Sequence, residues 1–136
     1  MKIVPYLFFA GNAQEAIDFY SDALDGKITR IQRYGESPAP IDEDWKQKVM
    51  HSRIDFGDDS LMISDGSKGQ LVKTDGNIQI TVETEDLDST EKMFSKLSSG
   101  GKVKSALKKE FWGDYFGMLQ DKFGVSWMFN CSAAKN

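Results

Sequence analysis

The chain has 136 residues, of which 40% are hydrophobic and 12% aromatic, a composition that supports one compact domain over residues 1–136. Seventeen lysine and arginine residues against 21 aspartate and glutamate residues give a net charge of −4, so no strongly basic surface favours nucleic acid. The one cysteine, Cys131, cannot form an intramolecular disulfide, and the first apolar run breaks at Gly11-Asn12, too early for a membrane span. We therefore expect a soluble cytoplasmic protein that binds neither nucleic acid nor membranes.

The first predicted elements are a short strand at residues 4–8 and an amphipathic helix. Asn12, followed three residues later by Glu15, resembles a capping box in which Asn12 caps the helix. Apolar residues then recur at helical spacing, namely Ala13, Ala16, Ile17, Tyr20 and Leu24. This spacing predicts a helix that ends near Gly26 and is followed by a strand at residues 27–34.

Residues 35–48 interrupt the strand pattern, because they contain Pro38, Pro40 and the acidic run Asp42-Glu43-Asp44. We predict a long surface loop here, with at most one helical turn near residues 42–46. Trp45 within it has two interpretations. Its indole could fold over a ligand, or it could anchor the loop to the body of the protein.

The stretch at residues 50–56 alternates like a strand, in which successive side chains point to opposite faces. The apolar set, which would pack under a helix, is Met50, Ile54 and Phe56. His51, the only histidine in the chain, then shares the opposite face with Arg53 and Asp55. An imidazole can act as a general base or hydrogen-bond a ligand, and a half-exposed histidine with structural hydrogen bonds fits the same pattern.

The second half of the chain repeats the first. Phe94, Gly101 and Lys102 follow one another at the same spacing as Phe19, Gly26 and Lys27. A looser echo pairs the dipeptide Phe56-Gly57 with Phe123-Gly124. A strand at residues 60–64 completes the first half. The chain therefore consists of two related halves.

In the second half, Asp86 can cap a helix that Gly100-Gly101 ends. Strands are predicted at residues 77–82, 103–107, 115–120 and 125–131. The side chains predicted to face the helix are Ile78, Ile80, Val82, Val125, Trp127 and Phe129, and those on the opposite face are Asn77, Gln79, Thr81, Ser126, Met128 and Asn130. Each half thus has the order β-α-β-β-β, with modules at about residues 1–70 and 75–132.

The tail FWGDYFGMLQDKFGVSWMFN at residues 111–130, the run Pro5-Tyr6-Leu7-Phe8-Phe9 and the pair Met50-His51 carry a resemblance to a known family. The chain resembles the vicinal oxygen chelate superfamily, which includes glyoxalase, bleomycin-resistance proteins and extradiol dioxygenases. Within it, the chain is most similar to the PhnB-like branch, sometimes labelled as a demethylubiquinone methyltransferase domain. The resemblance implies the α+β glyoxalase/bleomycin-resistance/dioxygenase fold, in which two β-α-β-β-β modules form a curved mixed sheet around a cup. It also implies a homodimer.

Metal-using members of that superfamily hold a divalent ion with four His, Glu or Gln side chains from four strands. The resemblance carries these positions onto Pro5, His51, Asn77 and Met128. Of these, His51 alone is a good ligand, since proline has no donor atom, an asparagine amide is weak and methionine is soft. We therefore predict no metal and no other cofactor. No Gly-rich loop between a strand and a helix is present to bind S-adenosylmethionine, which disfavours a methyltransferase.

Two classes of function stay open. The first, which we favour, is a small-molecule-binding protein without a conventional metal site. The second is a lyase, isomerase or dioxygenase that works without metal or recruits ligands such as Glu83 or Glu110. Trp112 could supply an aromatic wall for a ligand. The ligand-binding candidates are His51, Arg53, Gln79, Trp112, Met128 and Trp45, and no catalytic residue can be assigned.

Overall fold

The computed structural model of the protein describes residues 1–74 and 76–132. Residue 75, where the second module is predicted to begin, lies outside the described residues. The chain forms two compact units, Met1–Val72 and a second unit that begins at Lys73. Neither helix in the described part is long and apolar enough to cross a lipid bilayer.

The first unit is a four-stranded sheet with one helix. Its elements are β1 (Tyr6–Phe8), α1 (Ala13–Ala23), β2 (Lys27–Arg33), β3 (Val49–Phe56) and β4 (Asp59–Ser64). The strand order is β1-β4-β3-β2, with β1 parallel to β4 and the other neighbours antiparallel. Two short 3₁₀ helices, Tyr34–Glu36 and Glu43–Trp45, lie at the start of the predicted loop and within it.

The second unit has the same plan. Its elements are β5 (Ile80–Thr84), α2 (Leu87–Ser98), β6 (Lys102–Lys109), β7 (Tyr115–Gln120) and β8 (Ser126–Cys131), in the strand order β5-β8-β7-β6. Gly57 and Gly124, the two glycines of the looser echo, both have positive φ in the turn between the third and fourth strands of their units. The prediction of an α+β fold built from two β-α-β-β-β modules is confirmed.

The N-terminus of α1 is capped by a residue from far along the chain. Asn12 makes no side-chain cap hydrogen bond, so the predicted capping box is wrong. Instead, Asp65 Oδ1 accepts from the backbone N–H groups of Gly11 at 2.8 Å and Ala13 at 2.9 Å. Its Oδ2 accepts from the N–H of Val49 at 2.9 Å. One buried carboxylate thus joins the start of α1 to the start of β3.

The helix α2 begins as predicted, because Asp86 Oδ2 accepts from the N–H of Ser89 at 2.9 Å. This hydrogen bond from the Ser89 backbone lowers the pKa of Asp86. The left-handed stop after the helix is Gly100, with φ of 77°. Both ends of α2 therefore follow from local sequence signals.

Gly26 and Gly101, equivalent in the repeat, are required by close packing. A Cβ atom on Gly101 would overlap the carbonyl oxygen of Gln120, and one on Gly26 would overlap the ring of Phe56. Neither needs a left-handed backbone. The positive φ at the end of α1 falls one residue earlier, on Asp25. The sequence repeat therefore marks a packing constraint.

The predicted strand faces hold at Ile54 in β3 and differ at the starts of β3, β5 and β8. At the start of β3, Val49 is fully buried and Met50 only half-buried, because the β2–β3 register shifts between Gln32 and Arg33. Ile54 is fully buried, as predicted. Ile78 is 78% exposed, because the pairing of β5 with β8 starts only at Ile80. Val125 is half-buried while Ser126 is buried, the reverse of the prediction. The reason is that the Asp121 carboxylate accepts the Val125 N–H at 3.0 Å and holds that residue in the turn.

Candidate functional site

One face of the first sheet packs against α1, and the opposite face is here called the first open face. The helix contacts β2, β3 and β4, and Ile54 and Ile63 are fully buried. Directly paired residues of neighbouring strands point to the same face, so the strand register fixes the members of the other face. They are Tyr6, Phe8, Lys27, Arg30, Gln32, His51, Arg53, Asp55, Ser60, Met62 and Ser64.

Tyr6 and His51 form the polar centre of the first open face. Tyr6 Oη and His51 Nδ1 are hydrogen-bonded at 2.8 Å, and the ring of Phe8 stacks on Tyr6 with centroids 4.9 Å apart. Burial raises the pKa of the Tyr6 phenol, and a hydrogen bond with Ser64 offsets part of that rise. The phenol therefore keeps its proton at neutral pH, and this face presents a phenol–imidazole pair beside an aromatic ring.

Arg53 and Asp55 are bound to each other on the same face. Arg53 Nε donates to Asp55 Oδ1 at 2.9 Å, and Arg53 Nη2 donates to Ser60 Oγ at 2.9 Å. Ser60 Oγ in turn donates to Asp55 Oδ1 at 2.7 Å. The hydrogen bond from Arg53, followed by that from Ser60, lowers the pKa of Asp55. The network fixes the position of the guanidinium group two residues from His51.

Trp45 anchors the segment at residues 35–48. Its side chain is 8% exposed, and its Nε1 donates to the carbonyl of Gly66 at 3.1 Å. Tyr34 Oη donates to the same carbonyl at 2.6 Å, and Lys48 Nζ donates to the carbonyl of Gly11 at 2.8 Å. Of the two interpretations of Trp45, the structure supports the anchor, since its indole N–H already has a partner within the first unit.

The second sheet also has an open face, because α2 packs on one side of β6, β7 and β8. The members of this second open face include Thr81, Glu83, Phe116, Met118, Met128 and Asn130. The ring of Trp112 lies edge-on to Phe116, with centroids 5.8 Å apart. Gln79 is exposed and precedes β5. The structure thus places Trp112 and Met128 on or beside the second open face and leaves Gln79 outside the ladder.

Comparison with known proteins finds matches over nearly the whole chain. A family model described as 3-demethylubiquinone-9 3-methyltransferase matches residues 1–129. A solved structure from Bacillus cereus, described as a putative 3-demethylubiquinone-9 3-methyltransferase and PhnB protein, is 28% identical with a TM-score of 0.78, covering 96% of this chain and 99% of that one. The chain belongs to the PhnB-like family.

Other similar proteins cover almost the whole chain. Protein PA1353 from Pseudomonas aeruginosa is 38% identical, with a TM-score of 0.87, over 96% of this chain and 97% of that one. Protein YjdN of Escherichia coli is 26% identical over 96% of this chain and 95% of its own length. A glyoxalase/bleomycin resistance protein/dioxygenase from Alicyclobacillus acidocaldarius, 18% identical with a TM-score of 0.59, shares the fold and covers 96% of this chain and 90% of that one.

The residues present do not fit a conventional metal site. Of the four positions that the superfamily resemblance assigns, His51 has its Nδ1 hydrogen-bonded to Tyr6, and Asn77 is exposed and precedes β5. Pro5 and Met128 add no hard donor. Residues 1–74 and 76–132 contain no group of three or more His, Cys, Asp or Glu side chains that could hold a metal ion.

The description of the matching family model names a methyltransferase. However, the connection between the first strand and α1 does not fit the binding of a nucleotide-type methyl donor such as S-adenosylmethionine. Doubly wound folds bind such groups with the free backbone N–H groups that follow the first strand. Here the N–H groups of Gly11 and Ala13 are both taken by the carboxylate of Asp65. The mixed strand order β1-β4-β3-β2 also differs from the doubly wound arrangement.

Among the residues of the first open face that sequence reasoning missed, Tyr6 and Arg30 matter most for the site. Tyr6, the partner of His51, was seen only as part of an apolar run, although the alternation Tyr6-Leu7-Phe8 could have shown that the two aromatic rings share a face. Arg30 was missed because a bulge separates the pairs that Ile28 and Arg30 make in the β2–β3 ladder. No sequence signal marks that bulge.

Proposed function

We propose that this PhnB-like protein binds a small molecule on the first open face, without a conventional metal site. The observation that carries the proposal is the hydrogen-bonded pair Tyr6–His51 beside the stacked ring of Phe8. A few polar groups within an apolar and aromatic surface are typical of small-molecule sites. A metal-dependent lyase, isomerase or dioxygenase is less well supported, because His51 is not part of any group of three or more His, Cys, Asp or Glu side chains that could hold a metal ion among the described residues.

A thermal-shift screen of small metabolites and drugs tests the proposal. A compound present at a hundred times its Kd stabilises the folded protein by about 2.7 kcal/mol. We expect compounds that stabilise the wild type and the surface control Asp58→Ala but not His51→Ala, while His51→Ala keeps the melting temperature of the unliganded wild type. Hits that stabilise His51→Ala equally, or a screen without hits, would contradict a site at His51.

Elemental analysis tests the metal part of the proposal separately. The purified protein should hold well under one divalent ion per chain, and a chelator should leave its melting temperature unchanged. Zinc, nickel or iron at one ion per chain, lost in His51→Ala, would instead establish a metal-dependent member of the superfamily.

We also propose that the protein is a homodimer in the cytoplasm. The superfamily resemblance supports the dimer. The edge strands also support it, because β1 and β2 in the first sheet and β5 and β6 in the second each lack a partner on one side within their unit. Sedimentation at micromolar concentration should give about twice the chain mass of 15.3 kDa. A mass of one chain that does not change with concentration would contradict the dimer.

A further inference from the structure

We infer that the first open face selects a ligand that joins an oxyanion to an aromatic or apolar body. This inference rests on the proposed small-molecule site and names the class of its ligand. The starting observation is a group of four hydrogen-bond donors in the β2–β3 ladder, namely Arg30, Gln32, His51 and Arg53, here called the donor block. Arg30 lies directly opposite Arg53, and Gln32 lies directly opposite His51.

The pairing of Arg30 with Arg53 leaves positive charge unbalanced. Like charges at directly opposed positions of a ladder repel each other. Arg53 is balanced by Asp55, with Arg53 Nε and Asp55 Oδ1 2.9 Å apart. Arg30 is exposed and forms no ion pair with any residue that the structure describes. A carboxylate or phosphate at this point would supply the missing negative charge.

His51 can add an N–H donor to the same block. The Tyr6 phenol retains its proton and can donate it to His51 Nδ1, 2.8 Å away. A neutral imidazole whose Nδ1 accepts a hydrogen bond carries its own proton on Nε2. With this tautomer, His51 offers an N–H group rather than a lone pair, which suits an acceptor on the ligand.

An apolar surface adjoins the donor block. Met62 pairs with Arg53 on one side and with Tyr6 on the other, so it connects the cationic side chains to the aromatic ones. Tyr6 and Phe8 stack and are 38% and 45% exposed. A ligand with its oxyanion at Arg30 can therefore place an aromatic ring along Met62, Tyr6 and Phe8.

The test uses benzoate and its neutral analogue benzamide in buffer free of phosphate. His51 is the only histidine, so its imidazole signals in ¹H–¹⁵N NMR report binding at this face without ambiguity, and its ¹⁵N shifts at mildly alkaline pH report the tautomer. We expect benzoate to shift these signals and to bind at least about five-fold more tightly than benzamide.

Two arginine variants give a matched pair on one strand. Arg30→Gln should weaken benzoate binding by about five- to ten-fold at low ionic strength. Arg33→Gln removes the same charge from β2, but the Arg33 guanidinium donates to Gln14 of α1 at 2.6 Å and to the carbonyl of Gln47 at 2.8 Å. This control should bind benzoate like the wild type, and urea unfolding of each variant confirms that it is folded.

Each outcome decides a separate point. Equal affinity for benzoate and benzamide, or benzoate affinity unchanged in Arg30→Gln, overturns the anion inference and leaves the small-molecule site standing. The second result would mean that Arg30 only protects the edge of the sheet. If neither compound shifts the His51 signals at tens of millimolar, the anion inference fails. If the thermal-shift screen also lacks hits that depend on His51, the proposed function fails with it.

Discussion

Replacing Asp65 by alanine should destabilise the protein more than any single change on the first open face. Its carboxylate, 1% exposed, accepts three backbone N–H groups, from Gly11, Ala13 and Val49. The contacts with Ala13 and Val49 are buried, whereas the contact with Gly11 is only partly buried, so water can replace the carboxylate there. A hydrogen bond to a charged group contributes about 1.5–3 kcal/mol, so two buried donors give an expected loss of about 3–6 kcal/mol.

Urea unfolding followed by tryptophan fluorescence measures this loss. Asp65→Asn should fall between the wild type and Asp65→Ala, because its carbonyl oxygen can still accept from α1 while its amide group meets the N–H of Val49 as a second donor. Asp58→Ala, in the exposed turn between β3 and β4, is the matched control and should change stability by no more than about 0.5 kcal/mol. A loss below about 1 kcal/mol in Asp65→Ala, with the Ala13 and Val49 amides still protected from hydrogen exchange, would refute the assigned role.

Three further comparisons of variants test the packing and the site. Trp127→Ala, which empties a core position that is 1% exposed, should cost about 3–5 kcal/mol in urea unfolding, whereas His51→Ala should stay within about 0.5 kcal/mol. Comparable losses would mean that His51 is a core residue. Gly101→Ala should lower the free energy of unfolding by about 1–3 kcal/mol, because the new Cβ meets the backbone at Gln120. Gly76→Ala is the control and should be nearly neutral, since a Cβ on Gly76 meets nothing within 4 Å. Equal losses in the two variants would contradict the packing argument. Because the pKa of Tyr6 is raised in the folded protein, its contribution to stability is complete below the unfolded value of 10.0 and is lost as pH rises through the folded value. The melting temperature of the wild type should therefore fall relative to that of Tyr6→Phe above about pH 10. Parallel curves of melting temperature against pH for the two proteins would contradict the raised pKa.

The fold was predictable where local signals and the tertiary structure agree. The cap at Asp86, the stop at Gly100 and the alternation around Ile54 each depend on neighbours within a few residues, and each was read correctly from the sequence. The cap of α1 was not predictable in this way. Its carboxylate comes from Asp65, 54 positions after Gly11, and no local pattern links the two. A side chain brought in by the sheet replaced the cap that the sequence around Asn12 suggests.

The candidate site was predictable only in part, for a related reason. Alternation placed His51 and Arg53 on one face, because both lie on a single strand whose period is fixed. Their cross-strand partners depend on register. Arg30 faces Arg53 only because β2 has a bulge just before it, and a shift of one residue would have turned Arg30 to the side of α1. Gln79 lies outside the ladder because β5 starts at Ile80, three residues after the predicted start of that strand at residue 77.

The repeat explains why the two units share a fold and differ in chemistry. The pair Tyr6–Met62 in the first unit is equivalent to the pair Thr81–Met128 in the second, so the strand pairing is the same. The phenol of Tyr6 is replaced by the hydroxyl of Thr81, which is too short to reach a side chain across a neighbouring strand. Met118, which lies opposite Met128, takes the place in the ladder that Arg53 holds opposite Met62. Backbone pairing tolerates such differences between equivalent residues because it does not depend on side-chain identity. The donor block, in contrast, requires side chains that carry hydrogen-bond donors. The phenol, imidazole and guanidinium groups therefore belong to the first unit, and substitutions that test ligand binding should begin there.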